Sequence, residues 1–170
     1  MIDKKVLLVF LTLPLFILLT GCLDSEEDVL EESNTLVKDV FLSDEVLDKN
    51  FELNRLEMYK PDSLEFSEAR DQNLIFYENS QPFILFINEL EAPNSKWYYN
   101  ELQEKDDELH LRTFETDDEF AYFSAEEKED DQFEVQVGIG GVKMATLTNI
   151  SDLKEDVQEM MKMVKSIEKK

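Results

Sequence analysis

The chain has 170 residues, of which 40 are Asp or Glu and 17 Lys or Arg, for a formal net charge of −23. That length suits one modest domain, and 42% hydrophobic with 11% aromatic residues can supply a core, which excludes disorder throughout. The charge disfavours nucleic acid and an unaided basic membrane footprint, while a single Cys and a single His exclude an intramolecular disulfide and every four-ligand Cys/His zinc site.

Lys4 and Lys5 precede an apolar run from Val6 to Leu19, shorter than the roughly 20 residues that cross a bilayer comfortably. Residues 1–21 therefore read as an export signal that is removed from the fold. The run closes on Leu19-Thr20-Gly21-Cys22, which resembles a bacterial lipobox: a branched residue, two small residues, then cysteine. The resemblance implies that the Cys22 thiol is alkylated with diacylglycerol and that cleavage makes Cys22 the first mature residue. The remaining 149 residues carry 39 acids and 15 bases, a net charge of −24. Such a chain is repelled by anionic headgroups, so the acyl chains, worth about 0.8 kcal/mol per buried methylene, must do the anchoring.

Residues 22–34 hold Asp24, Glu26, Glu27, Asp28, Glu31 and Glu32 with no base, and read as an extended acidic tether ahead of a single globular domain spanning 35–170. From Thr35 to Phe51 the apolar spacing predicts one or two short helices, with Ser43 as an N-cap before Asp44 and Glu45. Pro61-Asp62-Ser63 predicts a turn and Leu64-Glu65-Phe66 a short strand. Asn73 to Glu78 and Pro82 to Asn88 predict a hairpin, and their apolar residues fall on both parities, the pattern of strands covered on each face.

Ala92-Pro93-Asn94-Ser95 breaks the chain before a short helix over Lys96 to Gln103. Strands follow at Glu108 to Glu115, with Leu109, Leu111 and Thr113 on one face, and at Glu119 to Ser124, joined by Thr116-Asp117-Asp118. Glu126 to Asp131, six charges in a row, predict a solvated loop. Gln132 to Thr148 predict a hairpin in which Gly140-Gly141 supply positive φ angles, and this register sets Val137 opposite Met144. Ser151 caps a last helix with a stripe of Leu153, Val157, Met160, Met161, Val164 and Ile167, and with Lys162, Lys165, Lys169 and Lys170 towards its negative end. The order of elements predicts an α+β fold, an antiparallel sheet of about six strands with helices packed on its faces.

Little in the sequence points to chemistry. His110 lies opposite in parity to Leu109 and Leu111, beside Arg112, with no orienting partner or nucleophile in view. Gly138-Ile139-Gly140-Gly141 precedes a strand and not a helix, so it reads as a turn and not a phosphate cradle. The acidic runs lack the Gly turn and spaced ligands of a calcium loop. No catalytic residue, metal ligand or cofactor is expected. Trp97-Tyr98-Tyr99 is the most suggestive cluster, since three consecutive aromatics cannot all face one core; Trp97 is expected inside with a tyrosine exposed, and the trio is the candidate ligand or partner surface. Met144, Met160, Met161 and Met163 read as core packing.

From Tyr59 to Lys170, the Pro turn, the hairpin ending Leu85-Phe86-Ile87-Asn88, the Gly-Gly turn and the helix closing on Val164-Lys165-Ser166-Ile167 resemble small lipoproteins of Bacillus-like Gram-positive bacteria. In outline the domain also resembles the PsbP-like α/β/α sandwich. That resemblance implies non-catalytic accessory proteins that help larger membrane complexes assemble, and it carries across no functional residue. The expected function is a lipid-anchored accessory or interaction module on the extracytoplasmic face of the cell membrane, with an envelope protein as partner. The alternative is an envelope sensor for a small ligand, which would need an enclosed pocket lined by Trp97, Tyr98 or the terminal methionines.

Overall fold

A computed structural model describes residues 25–70, 73–104 and 109–169. Helix α1 (Glu26–Leu42) begins at a capping box, in which the Ser25 hydroxyl accepts from the Asp28 amide and the Asp28 carboxylate accepts from the Ser25 amide. From Ser25 on this corrects the tether expected over residues 22–34, of which 22–24 lie outside the described residues. Glu26, Glu27 and Asp28 sit at the positive end of the helix dipole, and Val29, Ser33, Val37 and Phe41 form its buried stripe. The like-charge run is thus the exposed face of an amphipathic helix whose apolar residues begin at Val29. Ser43, expected as an N-cap, is the C-cap of this same helix.

Two short strands that the sequence did not suggest follow, β1 (Phe51–Leu53) and β2 (Leu56–Met58), joined by a turn with Asn54 at φ 56°. β2 also pairs with β10 (Glu168–Lys169) to make a small three-stranded sheet. The main sheet comprises β3 (Glu65–Arg70), β4 (Asn73–Glu78), β5 (Gln81–Ile87), β6 (His110–Glu115), β7 (Phe120–Glu127), β8 (Gln132–Ile139) and β9 (Val142–Asn149). Its order is β3-β4-β5-β9-β8-β7-β6, antiparallel throughout. The α+β architecture is as expected.

The Gly-Gly hairpin has the expected register, with Val137 opposite Met144 and Phe133 opposite Thr148. Only Gly140 has a positive φ, +53°; Gly141 is there for space, since a Cβ on it would lie 2.5 Å from the Asn88 carbonyl oxygen. Glu126 and Glu127, expected in a loop, extend β7 and pair with Glu134 and Phe133, leaving the connection to a single 3-10 turn at Glu129–Asp131. Helix α3 (Leu153–Ser166) starts one residue later than a Ser151 cap requires, with Asp152 in that position and no side-chain cap bond. Ile167 ends it as C-cap, and Lys169 belongs to β10. Lys165 serves α1 and not the end of its own helix, donating to the carbonyls of Val40 (2.8 Å) and Ser43. Helix α1 has no basic residue in its last turn, so its partner supplies the missing cation.

Helices α1 and α3 run side by side in the same sense, tied by Glu32–Lys154 near their starts and by Lys165 near their ends. On this face α1 packs over β6 and β7 and α3 over β8 and β9, Phe51 of the small sheet meets Phe76 of β4 at 5.5 Å, and Leu74, Phe76, Phe83, Leu85, Phe123, Val135, Val137 and Met144 belong to the core beneath. The second face is covered differently. Its only described helix, α2 (Trp97–Gln103), lies in the crossover from β5 to the far edge strand β6. Seven residues make a helix about 10 Å long, whereas seven strands span about 29 Å. Consequently β4 and β5 are not buried on both faces as their apolar runs suggested: Leu74, Phe76, Phe83 and Leu85 are buried, while Ile75, Ile84 and Phe86 are half-buried and Tyr77 is exposed.

Candidate functional site

Cys22 lies outside the described residues. The aromatic trio is held by the loop before α2, where the Ser95 hydroxyl accepts from the Trp97 amide at 3.2 Å and donates to Glu91. That loop is fixed against the Gly-Gly turn and β7: the Phe120 amide donates to the Pro93 carbonyl at 3.0 Å, and a Cβ on Gly140 would lie 2.3 Å from the Ala92 carbonyl oxygen. The buried residues of α2 are Tyr98 and Leu102, one turn apart. Trp97, expected inside, is instead 45% exposed and meets Tyr98 edge-on at 4.8 Å. The phase was recoverable, because Leu102 is the only aliphatic side chain of the helix and its i−4 neighbour is Tyr98.

Beneath the helix the packing is aromatic and cationic. Lys143 Nζ lies 4.5 Å from the Tyr98 ring centre and 5.0 Å from that of Phe86. Tyr99 packs edge-on to Phe120 at 5.3 Å and its hydroxyl accepts from Gln103 at 2.7 Å. Tyr122 lies so close to Gly138 that a Cβ there would be 2.4 Å from its ring, and its buried hydroxyl has no hydrogen-bond partner. Burial pushes the Tyr122 and Tyr98 phenols up from the usual range, with Glu101 adding to both. Both hydroxyls stay protonated at neutral pH. The cluster is a packed platform that leaves Trp97 outward.

Two other polar centres lie on the helical side. His110, half-buried, meets Phe123 at 5.6 Å, and its Nε2 has no partner; burial and the neighbouring Arg112 lower its pKa. Arg112 donates to Glu31 at 2.6 Å, which holds that carboxylate below its ordinary range. Asp156, absent from the sequence reading, is buried and accepts from Gln81 at 2.9 Å; burial raises its pKa, partly offset by its bonds to Thr148 and Gln81. It borders a crevice of about 20 Å³ with Glu78 and Glu159, room for about one water. Tyr59 donates to Glu159 at 2.9 Å, and burial with that carboxylate pushes its phenol up to about 12.

Met144, Met160, Met161 and Met163 are fully buried core residues, as expected. Among the described residues no group of three or more His, Cys, Asp or Glu is placed to hold a metal ion. Among them, too, no helix is long and apolar enough to cross a membrane. Compared with protein-family models, with curated proteins and with solved structures, the chain matches none.

The feature that sequence reasoning missed is the part of the second sheet face that α2 does not reach. Ile75, Tyr77, Pro82, Ile84, Ala145 and Leu147 form a continuous apolar surface there, with Tyr77 and Leu147 about 40% exposed. Its signal was in the sequence as the second parity of β4 and β5, read as a buried face because no element had been weighed for its ability to cover it.

Proposed function

We propose that the chain is a lipid-anchored accessory module on the extracytoplasmic face of a bacterial cell membrane, acting through a protein surface and not through chemistry. The observation that carries this reading is Leu19-Thr20-Gly21-Cys22 placed directly after Lys4, Lys5 and the apolar run. The fold adds a geometric consequence. Because α1 starts at Glu26 behind its Ser25 cap, only Leu23 and Asp24 separate Cys22 from the domain. Three residue steps reach at most about 11 Å. The domain is therefore held close to the headgroups by its lipid against the repulsion of its own charge.

The filled methionine core and the exposed apolar surface support an interaction role. The small-ligand alternative called for a pocket lined by Trp97, Tyr98 or the terminal methionines; the methionines are packed in the core, Tyr98 is buried and Trp97 stands 45% exposed. Metabolic labelling of the cells with an alkyne fatty acid tests the anchor. Labelling of the wild type and none of Cys22→Ala is expected; label retained by Cys22→Ala would refute the assignment, since the chain has no other cysteine.

A further inference from the structure

We propose that the uncovered half of the second sheet face docks a cationic amphipathic segment of a protein partner, an assignment that rests on the interaction-module reading and gives it a surface. The strand register lays this surface out in two rows. The first runs Glu65, Tyr77, Pro82, then Leu147, Glu134 and Glu126. The second runs Glu68, Ile75, Ile84, Ala145, Gln136. Three apolar residues thus occupy the middle of the first row, with carboxylates at both of its ends, and three the middle of the second, which has a carboxylate at β3 and Gln136 at β8. From β3 to β8 is four strand spacings, about 19 Å.

Each end keeps one carboxylate beyond its cations. At β3, Glu68 is paired with Arg70 at 3.2 Å, which leaves Glu65 in excess. At β8, Glu126 and Glu134 share the one ammonium of Lys128. Gln136, between that end and the apolar centre, is buried, donates to Glu134, and has no partner for its Oε1. An apolar surface ending in surplus acid at β3 and at β7 and β8 is complementary to a segment with an apolar stripe and Lys or Arg about 19 Å apart. A second copy brings the same acids and the same net charge, and anionic headgroups bring more negative charge; both are repelled.

The test uses the full-length lipidated chain in zwitterionic nanodiscs and, as probe, a fluorescent 14-residue Leu/Lys amphipathic peptide, with its Leu/Glu counterpart as control. Peptide anisotropy is read against empty discs. The Leu/Lys peptide is expected to bind and the Leu/Glu peptide not to. Tyr77→Ser with Leu147→Ser should weaken binding at least tenfold, and Glu65→Gln with Glu134→Gln several-fold, with a shallower salt dependence. Val46→Ser, at a 94% exposed position after α1, should change nothing. Binding unaltered by Tyr77→Ser with Leu147→Ser would mark general attraction to an acidic chain and overturn the proposal. So would no binding above empty discs, or a dimer in sedimentation that Leu147→Ser dissolves. The anchor is judged separately by fatty-acid labelling, so losing the docking surface leaves that reading standing.

Discussion

Leu85 and Ile84 are neighbours in β5, similar in size and chemistry, and they belong to two different surfaces. Leu85 is fully buried between Leu74 and Met144 in the core layer on the helical side, while Ile84 is only half-buried between Ile75 and Ala145. The same alternation repeats in β4, where Phe76 is buried and Tyr77 is exposed. Apolar residues on both parities therefore state that two surfaces avoid water, and do not say that the chain itself covers both. One face is covered by two helices tied to each other through Lys154 and Lys165 and by the small sheet; the other has, among the described residues, a seven-residue helix at one end. The open apolar surface is the one assigned above to a partner.

Truncating the two neighbours sharpens this contrast most strongly. Leu85→Ala is expected to cost about 3 kcal/mol, the transfer loss plus a cavity in a tightly packed layer, whereas Ile84→Ala should cost under about 1 kcal/mol. Urea midpoints of the two variants measure the difference; equal losses would mean that both faces are core. A smaller effect, about 1 kcal/mol, is expected for Lys165→Met, which leaves the carbonyls of Val40 and Ser43 without their cation while keeping the side chain's apolar stem. The loss should fall on α1, as faster hydrogen exchange in its last turn.

The smallest expected effect is on pH dependence. The Asp156 carboxyl titrates above its unfolded value of 3.8 because it is buried, so between that value and its folded pKa the native state binds the extra proton. Its contribution to stability is then present at low pH and falls as pH rises above about 4. Asp156→Asn keeps an acceptor for Gln81 without the charge, and should be more stable than wild type at pH 7, with the difference vanishing near pH 3. A variant less stable than wild type at pH 7 would show that the ionised carboxylate's hydrogen bonds outweigh its burial.

Most of the main sheet was legible because its strands obey short-range rules: the Gly-Gly turn set the register of one hairpin to the residue, and period-two alternation located β6 and β7, though not the last three residues of β7. What escaped depended on partners far along the chain. The first half of α1 read as a tether because five acids dominate it, and the pull of Val29 into the core exists only once the sheet is there. Likewise β1 and β2 are three residues each and need β10, more than a hundred residues away, to complete their sheet. Trp97 was misplaced because size suggested burial, whereas the helical phase set by Leu102 buries Tyr98. The open face was visible in β4 and β5, but its lack of cover follows from the length of α2 and its place in the crossover.

The central claim is that this second face is open in the isolated protein and covered in the membrane by a partner. Thiol labelling tests it directly, since the proposed alkylation of the Cys22 thiol would leave the mature chain without a competing thiol. Leu147→Cys and Val46→Cys are compared for maleimide reactivity in native membranes and after purification into zwitterionic nanodiscs. Both should react rapidly when purified, and in native membranes Leu147→Cys should be protected while Val46→Cys is not. Equal reactivity of Leu147→Cys in the two settings would contradict the account.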